Sequence, residues 1–277
     1  MVSLVFSKVK TLRTGDSMPV LGFGLYKIPN GIKAEKVVRE ALEVGYRLFD
    51  TAAFYGNEQS LGKAIRKSGI PREEFFITTK LHPFRLLSIE RAFFQSLKKL
   101  GTDYVDLYLI HWPFMRTKTV WNIFERIQKK GYAKAIGVSN FSVHDIESLV
   151  ENHGSVPAVN QVEFHPFLYR KALLAYCQSK GIVLEAHTPL THGKRIADPR
   201  VASIAKRYEK TPAQILLRWG IQHGAVCLPK TTSKERMKEN ITIFDFSLVD
   251  DDMERLDSLN ENDHIAGISR VMGDRAI

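Results

Sequence analysis

Asp50 and Tyr55 stand five residues apart in the stretch Arg47–Leu61, RLFDTAAFYGNEQSL. That stretch leaves a strand-like apolar run and enters a helix-like one, so both side chains belong to one connecting loop. A carboxylate and a phenol this close can serve a single proton-handling site if a base and a hydrogen-bond donor join them. Phenol alone is a reluctant acid, with a pKa near ~10. A nearby ammonium group stabilises the phenolate and lowers that value, and a carboxylate keeps the ammonium charged and in place. The remainder of the chain must therefore deliver a lysine and a second donor to Asp50 and Tyr55.

The elements that could do so alternate along the sequence. Residues 4–18, with Thr14-Gly15-Asp16 inside, read as a short hairpin. Apolar strand-like runs follow near 20–23, 46–49, 75–79, 105–110, 134–138, 158–162, 182–186 and 225–228. Between them lie stripes of helical period. Ala34, Val37, Val38, Ala41 and Leu42 share one face, as do Ile89, Ala92, Phe93, Leu97 and Leu100, and then Val120, Ile123, Phe124 and Ile127. Lys98 and Lys99 before Gly101, and Lys129 and Lys130 before Gly131, carry helix-stop chemistry. Two further helices are expected near 200–208 and after Pro212, another over 249–260, and an irregular tail over 261–277. Strands separated by helices imply parallel pairing, and eight of them close a barrel. The expected architecture is an α/β (β/α)8 TIM barrel with an N-terminal β-hairpin and a short C-terminal tail. Its 277 residues form one domain, since no linker or low-complexity tract divides them.

In such barrels the working groups sit on the loops after each strand. Here Asp50 follows the second strand, Lys80 the third, His111 the fourth, and Ser139 with Asn140 the fifth. Gln161 ends the sixth, His187 the seventh and Lys230 the eighth. Polar groups thus fall in register at one rim. A phenol assisted by Lys80 and Asp50, with His111 to orient a carbonyl oxygen, protonates that oxygen as it gains charge. The set contains no electron source, so reduction would require a nicotinamide cofactor.

The segments GFGLYKIP, GYRLFDTAAFYGNE, FFITTKL, LGTDYVDLYLIHWP, AIGVSNF, VNQVEFHP and LPKTTSKERMKEN run in order over roughly residues 20–246. Together they resemble the aldo-keto reductase family. The resemblance implies reduction of aldehydes and ketones to alcohols with NADPH, and a catalytic set of Asp50, Tyr55, Lys80 and His111. It implies that Ser139, Asn140 and Gln161 hold the nicotinamide carboxamide. Lys230, Thr231, Thr232, Arg236, Glu239 and Asn240 would hold the adenosine end. Lys230 and Arg236 are the cations set against a ribose 2′-phosphate, which selects NADPH over NADH. At EAHTPLTHGK the chain departs from the family pattern. His187 stands where a tyrosine or tryptophan usually stacks on the nicotinamide ring, so weaker or pH-dependent cofactor affinity is expected. Tyr26, Phe54, His82 and Trp112, with Phe114, are the expected substrate-pocket wall, Phe54 and Phe114 having plain barrel packing as the competing role. An aromatic mouth suits medium-sized carbonyl compounds.

Other readings are weaker. Five of these positions, Lys80, His82, His111, His165 and His187, also fall near strand ends as in metal-dependent barrel hydrolases. Yet the first strand ends in GFGLY and the eighth in CLPK, without the histidine pair and acid such a site needs, so no metal is expected. His165 before Pro166 suits a structural turn. A non-catalytic structural or regulatory barrel is the remaining alternative, and the intact four-residue set speaks against it. Gly22-Phe23-Gly24 lacks the third glycine of a dinucleotide fingerprint. The net charge of +10 is spread without blocks and carries no nucleic-acid motif. No apolar run approaches the roughly 20 residues needed to cross a bilayer, and Cys177 and Cys227 lack metal spacing. A cytoplasmic protein, monomeric and acting on a small-molecule carbonyl substrate, is expected.

Overall fold

The computed structural model describes residues 8–82, 88–113 and 117–266. Phe114, the first residues of the expected hairpin and the end of the tail lie outside them. The chain opens with an antiparallel hairpin, β1 (Val9–Thr11) against β2 (Ser17–Pro19), paired Val9 to Pro19 and Thr11 to Ser17. Gly15 turns it with φ +89°, and the Thr14 hydroxyl donates to Asp16 at 2.6 Å. Both observations match turn chemistry, in which glycine takes the left-handed backbone and a short side chain bonds its neighbour.

Eight parallel strands follow: β3 (Phe23–Gly24), β4 (Leu48–Asp50), β5 (Phe76–Leu81), β6 (Val105–Ile110), β7 (Ala133–Ser139), β8 (Val159–Glu163), β9 (Val183–His187) and β10 (Val226–Leu228). Each pairs with the next in sequence order. The seam closes through a parallel bridge between Leu21 and Cys227, with Gly22 N donating to Cys227 O and Cys227 N to Val20 O. The first barrel strand is therefore later and shorter than the expected 20–23. Gly22 explains the pinch: a Cβ there would lie 2.1 Å from Leu48 Cδ2, so only glycine lets the seam close.

Two apolar layers result. Leu12 and Met18 of the hairpin plug the base of the barrel against Leu48, Phe76, Leu107, Leu109, Val159, Val226 and other inward side chains. The larger layer lies between the strands and the surrounding helices. Strands buried on both faces read as unbroken apolar runs, which is why they are visible in sequence.

The stripes also become helices: Ile32–Val44, Ile89–Leu100 and Thr117–Lys129, with Gly45, Gly101 and Gly131 at positive φ after them. Pro199–Arg207, Pro212–Gln222 and Asp250–Asp257 match the expected later helices. Thr211 and Gln214 form a reciprocal capping box at the start of Pro212–Gln222. Helices Val143–His153, Lys171–Ser179 and Lys234–Ile241 fill gaps for which the sequence reading names no stripe. The last buries only Met237 and Asn240, too few for a periodic signal. Among the described residues no helix is long and apolar enough to cross a membrane.

The helix Glu58–Ser68 packs so closely on Ile89–Leu100 that a Cβ on Gly62 would lie 1.9 Å from the Leu100 carbonyl oxygen. Gly62→Ala should therefore force the two helices apart and cost about 1–3 kcal/mol, as overpacking does. Urea unfolding would report this as a lower midpoint with unchanged slope. An unaltered midpoint would contradict the close helix contact.

Candidate active site

β4 ends on Asp50, and a 3-10 turn, Ala53–Tyr55, carries the phenol back over the barrel mouth. The turn is held by Asn57, which is buried. Its Nδ2 donates to the carbonyls of Leu25 at 2.9 Å and Ile28 at 2.8 Å, and its Oδ1 accepts from Thr51 Oγ1 at 2.6 Å. Two loops, those after β3 and β4, are thereby tied to one amide. Sequence reasoning on chemistry overlooked Asn57, because its work is entirely positional.

Lys80, on β5, is fully buried, and its ammonium group is saturated. Nζ donates to Asp50 Oδ1 at 2.7 Å and Oδ2 at 2.6 Å, to Thr51 O at 3.0 Å, and lies 3.4 Å from the Tyr55 hydroxyl. Burial pushes the lysine pKa down, but Asp50 and then Tyr55 outweigh it and hold it above the ordinary value. Lys80 is thus charged, with Tyr55 as its only neighbour of the four that bears a proton to give.

The phenol itself differs from the sequence expectation. Burial pushes Tyr55 up to about 12, and the pull of Lys80 reduces that rise without reversing it. Tyr55 is consequently a neutral phenol at physiological pH, a proton donor in its resting state. The lowering by Lys80 is real in sign and smaller than the desolvation it opposes.

His111 follows β6 and is buried. Burial, with Lys80 and then His187 and His82 adding to it, holds its pKa well below the ordinary range. A neutral imidazole beside the phenol, ring centroids 5.7 Å apart, can donate a hydrogen bond without bringing a charge. Around this pair stand the expected wall residues. Tyr26 lies 5.0 Å from the Tyr55 ring, Phe54 is 5.4 Å from His82 and 6.4 Å from His111, and Trp112 stacks on His111 at 6.1 Å. Phe54 is 44% exposed, so it is not part of the barrel packing.

The neighbouring strand ends form a second group. The Ser139 hydroxyl donates to Gln161 O at 2.9 Å, and Asn140, at φ +64°, donates from Nδ2 to His111 O at 3.1 Å and Ser139 Oγ at 3.0 Å. His187 Nε2 is 3.2 Å from Asn140 Oδ1, and its Nδ1 is 3.0 Å from Thr188 Oγ1. Burial, with smaller contributions from Lys80 and Arg170 against an opposing Glu163, holds His187 down at about 3. Burial thus favours the neutral imidazole near neutrality, although the sequence expectation allows it to titrate.

Further round the rim, Lys230 is exposed and meets two like charges. Partial desolvation, then Lys33 and Lys27, lowers its pKa. Thr231 accepts from Ser233 N at 3.1 Å, with Thr232 and Arg236 exposed beside it at the start of helix Lys234–Ile241. Glu239 is already engaged by the Thr211 hydroxyl, and Asn240 is buried. His165 bonds to Glu163 at 3.2 Å in a buried turn, as its structural reading required. Among the described residues no group of three or more His, Cys, Asp or Glu side chains is arranged to hold a metal ion.

A (β/α)8 barrel with Asp, Tyr, Lys and His converging at its C-terminal rim defines a class of oxidoreductase scaffold. The comparisons agree. The chain matches the aldo/keto reductase family over residues 20–261. It is 48% identical over 259 residues to the Bacillus subtilis protein named uncharacterized oxidoreductase YtbE, covering 91% of this chain and 92% of that one. Glyoxal reductase of the same organism is 44% identical over 257 residues, covering 92% and 93%. The crystal structure of an aldo/keto reductase from Brucella melitensis superposes with a TM-score of 0.86 at 44% identity, covering 91% and 99%. The chain belongs to the aldo-keto reductase family. It is an oxidoreductase acting on carbonyl and alcohol groups, and the family uses nicotinamide cofactors.

The depressed histidine makes folding stability pH-dependent. His187 sits at about 3 when folded and near ~6.5 when unfolded. The unfolded chain takes the proton first, so stability is complete above about pH 6.5 and is lost as pH falls towards 3. At pH 5 the loss from this one group should reach about 2 kcal/mol. His187→Phe should remove that part of the pH dependence in urea unfolding measured at pH 7 and pH 5. Equal pH dependence in both proteins would show that the imidazole is not held neutral.

Proposed function

We propose that this protein reduces aldehydes and ketones to alcohols with NADPH, Tyr55 acting as the general acid. The observation that carries the reading is Lys80: a buried ammonium group held by both oxygens of Asp50 and lying 3.4 Å from the Tyr55 hydroxyl. A cation so placed stabilises negative charge on the phenolic oxygen as its proton leaves. Asp50 keeps Lys80 charged and immobile, and neutral His111 donates a hydrogen bond that orients the carbonyl oxygen. The aromatic mouth of Tyr26, Phe54, His82 and Trp112 shields the reacting centre from water and receives the apolar part of the substrate.

The residues fit the cofactor. Lys33 and Lys27 both repel the Lys230 charge, an excess of positive charge that suits the phosphates of a dinucleotide. Arg236 and Lys230 would pair with the 2′-phosphate, and Thr231, Thr232 and Asn240 would hold the adenosine end. Ser139, Asn140 and Gln161 would receive the carboxamide, and His187 would offer its flat face to the nicotinamide ring. When bound, NADPH supplies the hydride for the carbonyl carbon. Glyoxal reductase among the relatives points to small aldehydes as the substrate class to test first.

Tyr55→Phe should lower kcat at least about 100-fold while leaving NADPH affinity, read by tryptophan fluorescence quenching, nearly intact. A variant with wild-type kcat would remove Tyr55 as the acid. Arg236→Ala should weaken NADPH far more than NADH, and equal losses would remove the 2′-phosphate assignment.

A further inference from the structure

Below the rim lies a carboxyl group that this mechanism leaves unused. Glu185, on β9, is fully buried, register-paired with Gln161 on β8 and with Val226 on β10. Its Oε2 accepts from Gln161 Nε2 at 2.6 Å, and the same amide donates to Asp50 Oδ2 at 2.8 Å. Glu185 Oε1 has no hydrogen-bond partner among the described residues. We propose that Glu185 is a positioning residue that carries a proton in the working enzyme, fixes the Gln161 amide against Asp50 and keeps the Asp50–Lys80 pair electrically balanced. The proposal rests on the reductase reading above.

The groups facing Glu185 decide its charge. Asp50 comes from β4, Lys80 from β5 and Gln161 from β8, and the Cys227 thiol of β10 is held up at about 12, mainly by burial, so it is neutral. Lys80 is the one cation of the set, and Asp50, Thr51 O and Tyr55 already surround its ammonium group. A second carboxylate here would be a buried charge with one amide donor and, as its cation, only the Lys80 ammonium already paired with Asp50, which is unfavourable. Burial first, and Asp50 second, push Glu185 up to about 8. The chemistry and the geometry thus agree on a neutral acid at physiological pH.

Two consequences follow for the reaction. With Glu185 protonated, Asp50 and Lys80 cancel, and the site tolerates the negative charge that grows on Tyr55 as it gives up its proton. Ionised Glu185 would add a like charge and oppose that step. Glu185 also takes one of the two Gln161 amide protons while Asp50 takes the other. That leaves Gln161 only its carbonyl oxygen to engage the carboxamide, so the amide cannot present the wrong end.

The test compares wild type with Glu185→Gln, which keeps the shape and an acceptor oxygen but has no proton to lose. Infrared difference spectra at neutral pH should show a protonated carboxylic acid in wild type that is missing from the variant. Folding stability gives a second reading. An acid held protonated when folded but ionised when unfolded loses stability as pH rises from near ~4.3 to about 8. Glu185→Gln should therefore gain stability relative to wild type between pH 5 and pH 9. Wild-type kcat should fall about tenfold from pH 7 to pH 9, and the variant should keep a flat profile over that range. An active enzyme with no acid band and parallel profiles would overturn the proposal alone. The acid band and stability difference without carbonyl reduction would overturn the reductase reading and, with it, the role of Glu185 in catalysis. Should the variant fail to fold, the wild-type infrared titration decides the protonation by itself.

Discussion

The site depends on one buried ion pair. Lys80 has no contact with solvent, and its ammonium group is surrounded by both Asp50 oxygens, a main-chain carbonyl and a phenol. Taking an ion out of water costs several kcal/mol, and only close, complete hydrogen bonding offsets it. Such a pair adds little net stability; what it adds is a fixed positive charge at a defined point of a dry cavity. The barrel supplies the conditions, since β4 and β5 are neighbours: Asp50 is paired with Thr78, and Lys80, two residues further along β5, reaches its carboxylate. Apolar layers beneath exclude water, so the charge acts on Tyr55 at short range and low dielectric.

Desolvation governs the other groups in the same way. It raises Tyr55, lowers His111 and His187, and raises Glu185, so each is neutral in the resting protein. The outcome is a site with one cation, one carboxylate and several neutral donors. Charge develops there only when a reaction makes it, which is the arrangement electrostatic preorganisation requires.

Much of this was legible in the chain. Strands buried on both faces give apolar runs, and the first polar residue after each run marks the rim, which is how Asp50, Lys80, His111, Gln161 and His187 stand out. The direction of the Tyr55 shift was not legible, because it is a contest between Lys80 and burial whose balance depends on depth. Glu185 was hidden for a related reason. Inside a strand run such as VLEAH, a polar letter gains meaning only when its partners on β4, β5 and β8 are in place. Asn57 likewise works through carbonyls of Leu25 and Ile28, about thirty positions away, as the 32- and 29-residue separations show. The close approach at Gly22, where a Cβ would meet Leu48, is also something no periodicity reports.

The central claim is that the Lys80 charge makes Tyr55 an effective acid. Its most direct test is Lys80→Met, which keeps the aliphatic stem and removes the ammonium group. Single-turnover carbonyl reduction at saturating NADPH, with cofactor affinity measured on the same protein, should show the chemical step slowed by at least about 100-fold and NADPH affinity little changed. A chemical step at the wild-type rate would contradict the account.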